Sequence, residues 1–209
     1  MARISAEERR ELLLDAAVRV MTTHGVAAGT TRAIVAEAGM RVSVFHYCFR
    51  SRDELLSELI KRLSATEKQA VWESIEPGGT LRETLAGAAD GYLAHLQHKP
   101  GDEMVLFELN HHALRTPALR ELAAEQYAAY YRTARELLDR VAEVAGIAWT
   151  VDAQVLTRTV ITVLDGVTTT WLADRDTAAS REVLHRLLDF VAGLAVPATG
   201  GPQRTERIR

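Results

Sequence analysis

Between Thr30 and Leu55 the chain reads TTRAIVAEAGMRVSVFHYCFRSRDEL, a run in which hydrogen-bond donors crowd around one glycine. Thr31, Arg32 and Arg52 carry hydroxyl or guanidinium groups that reach phosphate oxygens. Ser43, Val44 and Tyr47 are of types that meet base edges, and the Val44 methyls suit a thymine methyl. Arg41 can serve either partner. This is the chemistry of holding a polyanion, not of breaking a bond.

These groups need a bent scaffold. Ile34, Val35 and Ala38 form an apolar stripe at helical spacing, and Gly39 follows where a helix most often ends on a left-handed residue. A second short helix is expected over roughly residues 42 to 48, with Val42, Phe45 and Phe49 turned inward and Arg41, Ser43, Val44 and Tyr47 outward. An outward face that short fits a major groove. Thr31 and Arg32 fall in the first turn of the preceding helix, where free backbone amides add to phosphate binding. Ser51 to Glu54 reads as a capping box that opens a longer helix, and the same device recurs at Ser5 to Glu8 and Thr80 to Glu83.

The string resembles the amino-terminal domain of the TetR family of bacterial transcriptional regulators. Thr30, Thr31, Ile34, Ala38, Gly39, Phe49, Ser51, Arg52 and Leu55 carry the match, and RELLLDAAVRVMTTHG upstream is similar to the family's first helix, ending on Gly25. The resemblance spans about residues 8 to 60 and is architectural beyond. The chain departs from the pattern at Val35 (for alanine), Arg41 (for serine), Ser43 (for glycine), His46 (for tyrosine) and Cys48 (for histidine or tyrosine). The resemblance makes His46 and Cys48 phosphate-contact positions; a neutral imidazole donates to phosphate, whereas a thiol does so poorly. Arg41 in place of serine suggests an altered operator preference.

With 209 residues, 47% hydrophobic and 25% charged, the chain is long enough for one or two domains with a core. A charged amino terminus and the lack of a long apolar run point to a cytoplasmic protein without signal or membrane span. A lone cysteine, Cys48, excludes an internal disulfide and a cysteine-based zinc site and reads as packing filler. Net charge is −3, yet residues 1–62 hold 10 Lys and Arg against 8 Asp and Glu, while residues 63–209 hold 15 against 20. The basic excess lies in the head and is small, so affinity should depend on pairing two heads.

Nearly every segment has helical period and none alternates as a strand would, which predicts an all-α protein of about nine helices: a three-helix helix-turn-helix head, residues 1–52, joined to a helical effector-binding and dimerisation body, residues 53–196. A fourth helix, from Arg52 to about Trp72 or Glu73, joins the two. Breaks are expected at Glu76-Pro77-Gly78-Gly79, Lys99-Pro100-Gly101, Thr116-Pro117 and Gly146. Residues 197–209, rich in Pro, Gly and charge, should form a mobile tail whose three arginines read as solvated.

Helices expected at about 151–173 and 180–194 each carry a broad apolar face. On residues alone this fits monomer core or an interface equally; the resemblance implies a homodimer built on a four-helix bundle. Phe107, His111, Tyr127, Tyr131 and Trp171 could line an apolar pocket with polar handles, although each alone reads as ordinary packing. His95 with His98, and His111 with His112, lack the further ligands of a metal site. No glycine-rich phosphate loop, serine elbow or HExxH string supports an enzyme, and no cofactor is expected.

Together with the long fourth helix, the resemblance implies a dimeric repressor on a near-palindromic double-stranded operator, with recognition helices about 34 Å apart. A small, partly apolar effector in the body would hold the heads at the wrong spacing. A regulator whose body binds a protein partner, and a helical enzyme that keeps the head as a relic, are the other readings.

Overall fold

The computed structural model describes residues 5–74 and 80–198. Among these the chain forms nine α-helices and one short β ribbon. Helix α1 (Ala6–His24) opens on Ser5, whose hydroxyl accepts from the Glu8 amide while Glu8 accepts from the Ser5 amide. It buries Leu13, Leu14, Ala17 and Met21, and after Gly25 a single 3-10 turn leads to α2 (Thr31–Glu37).

Gly39 ends α2 with φ +63, and the Met40 amide returns to the Val35 carbonyl at 2.8 Å. Such left-handed closure satisfies carbonyls that the helix end would leave open. Helix α3 (Val42–Cys48) follows. Ser51 caps α4 (Arg52–Glu73) by accepting from the Glu54 amide. The return arm of the expected box is different: Glu54 accepts from the Arg50 amide at 2.7 Å instead of that of Ser51.

Helix α4 buries Leu55, Leu56, Leu59, Ile60 and Leu63 in a cluster that also holds Leu13, Phe45 and Phe49 of the head and Leu106 and Leu109 of α6 (Pro100–Arg115). One apolar cluster therefore runs from head to body. Thr80 caps α5 (Leu81–His98) with the full reciprocal box. Helices α7 (Arg120–Ala145), α8 (Ala153–Asp174) and α9 (Thr177–Gly193) complete the body around two further clusters, one on Leu93, Leu96 and Trp171, the other on Leu138, Leu156 and Leu188.

The expectation of no strand needs correction. β1 (Ile147–Trp149) pairs antiparallel with β2 (Ala195–Pro197), with Ala148 opposite Val196. Three residues are too few for alternation to stand out in a sequence, and the partner lies far along the chain. Pro197, expected as the first residue of a mobile tail, is thus paired, at a strand end where its missing N–H costs nothing. The break at Glu76–Gly79 and the tail from residue 199, with its three arginines, lie outside the described residues.

A Cβ at Gly39 would meet nothing within 4 Å, so only the left-handed backbone opposes a side chain there. Gly39→Ala should lower stability by roughly 1–2 kcal/mol and Gly39→Asn by less, read as urea unfolding midpoints. Equal losses for the two would refute this account.

Candidate DNA-binding surface and body cavity

Phe45, Cys48 and Phe49 turn into the head core, and this choice of inward face sets what α3 offers outside. Arg41, Val42, Ser43, His46 and Tyr47 are exposed, Tyr47 by 71%. Val42 and Val44 exchange their expected places: Val42 is open to solvent and Val44 is half-buried against the core. In a helix of seven residues the deeper Phe45, Cys48 and Phe49 fix the rotation, and Val42 falls outside their arc. Val42 is the surface residue the sequence reading missed.

Arg10 pins the far end of α3. Its guanidinium donates to the Cys48 carbonyl, pairs with Glu58 and lies 4.3 Å from the centre of the Phe49 ring. Arg41 stands at the start of α3 and provides no side-chain cap, so it is free to point elsewhere.

On α2, Arg32 is exposed and Thr31 half-buried. Arg52 is more committed than its sequence suggests: its Nε donates to the Gly29 carbonyl at 2.7 Å and a terminal nitrogen donates to the Val26 carbonyl at 2.8 Å. The same turn is held from the body, where Glu108 of α6 accepts from the Val26 amide at 2.7 Å.

Two cavities meet in the body. The apolar one, about 130 Å³, is walled by Val71 and Trp72 of α4, Leu85 of α5, Leu138 of α7, Ile161 of α8 and Leu187 of α9. The smaller, about 50 Å³, is polar, with Glu67, Glu103, Asn110, Tyr127, Asp165 and Thr168 in its wall. Glu67, Tyr92, Tyr130, Ile161 and Leu164 border both. The Tyr130 hydroxyl donates to Glu67 at 3.0 Å, and that of Tyr92 donates to the Leu164 carbonyl at 3.1 Å and lies against the Thr168 hydroxyl. Glu103 is bonded to His95 at 3.1 Å.

Burial, with the Glu103 and Asp165 charges nearby, pushes the Glu67 carboxyl up to about 8. Burial also raises the Asp165 carboxyl and, with Asp165 beside it, takes the Tyr127 hydroxyl to about 12.

The five residues expected to form one effector pocket are not gathered together. Phe107 and Tyr127 line the polar cavity. His111 stacks on Phe107 at 4.6 Å and lines a groove facing Thr30 and Arg52 of the head. Tyr131 sits under Arg158 at 5.3 Å, and Trp171 is buried in the core, its indole N–H donating to Thr177 at 3.0 Å.

The acids were missed, yet a signal existed. Glu67 continues the Ile60, Leu63 stripe of α4, Glu103 precedes Leu106 and Ala113 on the buried side of α6, and Asp165 lies between Ile161 and Leu172 on α8. Charges at core positions mark a site. Among the described residues no group of three or more metal-ligating side chains occurs, and no helix is long and apolar enough to cross a membrane.

Folded Glu67 keeps its proton to about pH 8, whereas a free glutamate loses it near 4.5. Rising pH therefore favours unfolding across that window. Glu67→Gln, which cannot titrate, should gain stability over the parent between pH 5 and pH 8, measured as thermal midpoints. A difference independent of pH would contradict the assignment.

Two family models match separate parts of the chain. Residues 13–59 match the family model described as bacterial regulatory proteins, tetR family, and residues 81–196 match that of the BetI-type transcriptional repressor, C-terminal. The chain is 26% identical over 187 residues to the HTH-type nicotine-responsive transcriptional repressor HdnoR of Paenarthrobacter nicotinovorans, covering 90% of this chain and 95% of that one. Its fold is similar to a putative TetR-family regulator from Rhodococcus sp., with TM-score 0.76, 21% identity and coverage of 88% and 98%. It is also similar to FadR from Bacillus subtilis, solved in complex with stearoyl-CoA, with TM-score 0.70, 22% identity and coverage of 85% and 97%. The chain belongs to the TetR family of bacterial transcriptional regulators and is a DNA-binding regulator, not an enzyme.

Proposed function

We propose that the protein acts in the cytoplasm as a homodimeric repressor that grips a near-palindromic operator and releases it when a small molecule enters the body. The observation that carries this reading is the course of α4. It starts in the head at Arg52 and, 22 residues and roughly 33 Å long, supplies Glu67, Val71 and Trp72 to the cavity walls. A molecule seated there touches the same rod that sets the head's position. It can shift the equilibrium only by its difference in affinity for the two arrangements, typically about 1–3 kcal/mol. A concave apolar cavity walled by five helices favours a small molecule over a protein partner. The nicotine-responsive relative and the acyl-CoA complex of the FadR neighbour are in keeping with this.

The chain divides into a head of residues 1–52 and a body of residues 53–198, which includes the paired Pro197. In the head, Thr31, Arg32, His46 and Arg52 bind phosphates, while Arg41, Ser43 and Tyr47 face bases and Val44 packs inward. The exposed Val42 joins them as an apolar contact to a thymine methyl. In the body, Phe107 and Tyr127 join the cavity acids as effector contacts, whereas His111, Tyr131 and Trp171 act through packing. Val155 and Phe190, 61% and 52% exposed on α8 and α9, are the anchors of the dimer interface.

Operators would be selected from genomic fragments and affinities measured by fluorescence anisotropy against salt. Arg32→Ala is a cleaner probe than Arg52→Ala, because Arg52 also ties the turn before α2. Arg32→Ala should weaken binding to all sequences and reduce the salt slope by about one, whereas Tyr47→Ala should relax choice at particular base pairs. Uniform, sequence-blind losses from both would refute the division of labour. The double change Val155→Asp with Phe190→Asp should halve the mass seen by sedimentation and abolish tight operator binding; a dimer that survives it would move the interface elsewhere.

A further inference from the structure

The polar cavity has an excess of acceptors. Glu67 on α4, Glu103 on α6 and Asp165 on α8 stand in or beside it, with the Tyr92, Tyr127 and Tyr130 hydroxyls of α5 and α7 between them. The Asn110 side chain is 8% exposed, lines the same cavity, and its Oδ1 is buried without a hydrogen-bond partner. An orphaned buried carbonyl costs about 1–3 kcal/mol unless something donates to it. Among the described residues no Lys or Arg lines this cavity. Lys68, which borders the apolar one, is paired with Glu136 at 3.6 Å.

The apolar cavity fixes the other half of the ligand. Its volume of about 130 Å³ is near the roughly 150 Å³ that encloses a benzene ring. Both cavities share Glu67, Tyr92 and Tyr130, so a charged end and an apolar end can be held at once.

Resting on the small-molecule reading above, we infer that the effector is a protonated amine keeping at least one N–H, carried on an apolar body about the size of a single ring. The N–H donates to Asn110 Oδ1, the positive charge faces Glu67 and Asp165, and the ring fills the space between Val71, Leu85 and Leu187. A quaternary ammonium offers charge without a donor and a carboxylate offers neither, so both are poor fits. Because burial and the neighbouring Glu103 and Asp165 charges hold a proton on Glu67 to about pH 8, amine binding expels it. Amine affinity then rises from pH 6 to pH 8.

The test uses the full chain with 2-phenylethylamine, benzyltrimethylammonium, 3-phenylpropanoate and 3-phenylpropanol as probes, followed by calorimetry and by anisotropy of a selected operator duplex. Expected are saturable binding of phenylethylamine, tighter at pH 8 than at pH 6, and release of the duplex. Asn110→Leu should weaken the amine by roughly tenfold to a hundredfold, while Asn110→Asp, which keeps the acceptor, should retain it. Circular dichroism establishes that both variants fold, and Glu67→Gln gives an independent loss of the pH dependence should Asn110→Leu unfold. If the alcohol or the carboxylate binds as well as the amine and releases DNA, the amine assignment is overturned while ligand response stands. If no probe of any class binds, both fall.

Discussion

One helix joins head and body through a single apolar cluster, and the rest of the molecule depends on that sharing. The buried residues Leu55, Leu56, Leu59, Ile60 and Leu63 of α4 share one apolar cluster with residues of α1, α3 and α6. Close-packed interiors do not deform smoothly, so displacement of α4 at Trp72 reaches Arg52 as a rigid shift instead of dissipating between them. Arg52 and Glu108 reinforce the joint by holding the Val26 turn from opposite sides, through its carbonyl and its amide. In the proposed mechanism, head spacing is therefore a property of body packing.

The head was legible because its signals are local. Gly39, Thr30, Ser51 and the Phe45 to Phe49 spacing each speak within one turn of the residue they control, and the helices stand close to where those residues place them. The error at Val42 and Val44 arose where local information is thinnest. Both valines suit either face of a two-turn helix, and only the depth of Phe45 and Cys48 in the core sets the rotation. Arg52 was expected to reach phosphate near the Gly39 turn, but its two backbone carbonyl partners belong to a segment more than twenty residues earlier, beyond any local pattern.

The body was legible as helices and opaque as a site. Six helices, α4 to α9, converge on the two cavities, and residues from different helices become neighbours only after packing. Choosing aromatic residues by type therefore left the Phe107–His111 pair, Tyr131 and Trp171 in separate surroundings. Period was the better guide. Glu67, Glu103 and Asp165 interrupt apolar stripes, and burying a carboxylate costs so much that its presence in a core argues for a partner.

The ribbon between Ile147–Trp149 and Ala195–Pro197 works as a clasp: it ties the α7–α8 turn to the end of α9, so α8 and α9 lie inside a loop closed by the chain itself. Such a clasp joins residues distant in sequence and so belongs among the last contacts made as the polypeptide collapses. Proteolytic nicking just past α9 would leave the backbone of Ile147–Trp149 as a bare edge, open to recruiting a strand from another molecule. A trimmed preparation thus gains a seam for clumping that the intact clasp keeps shut.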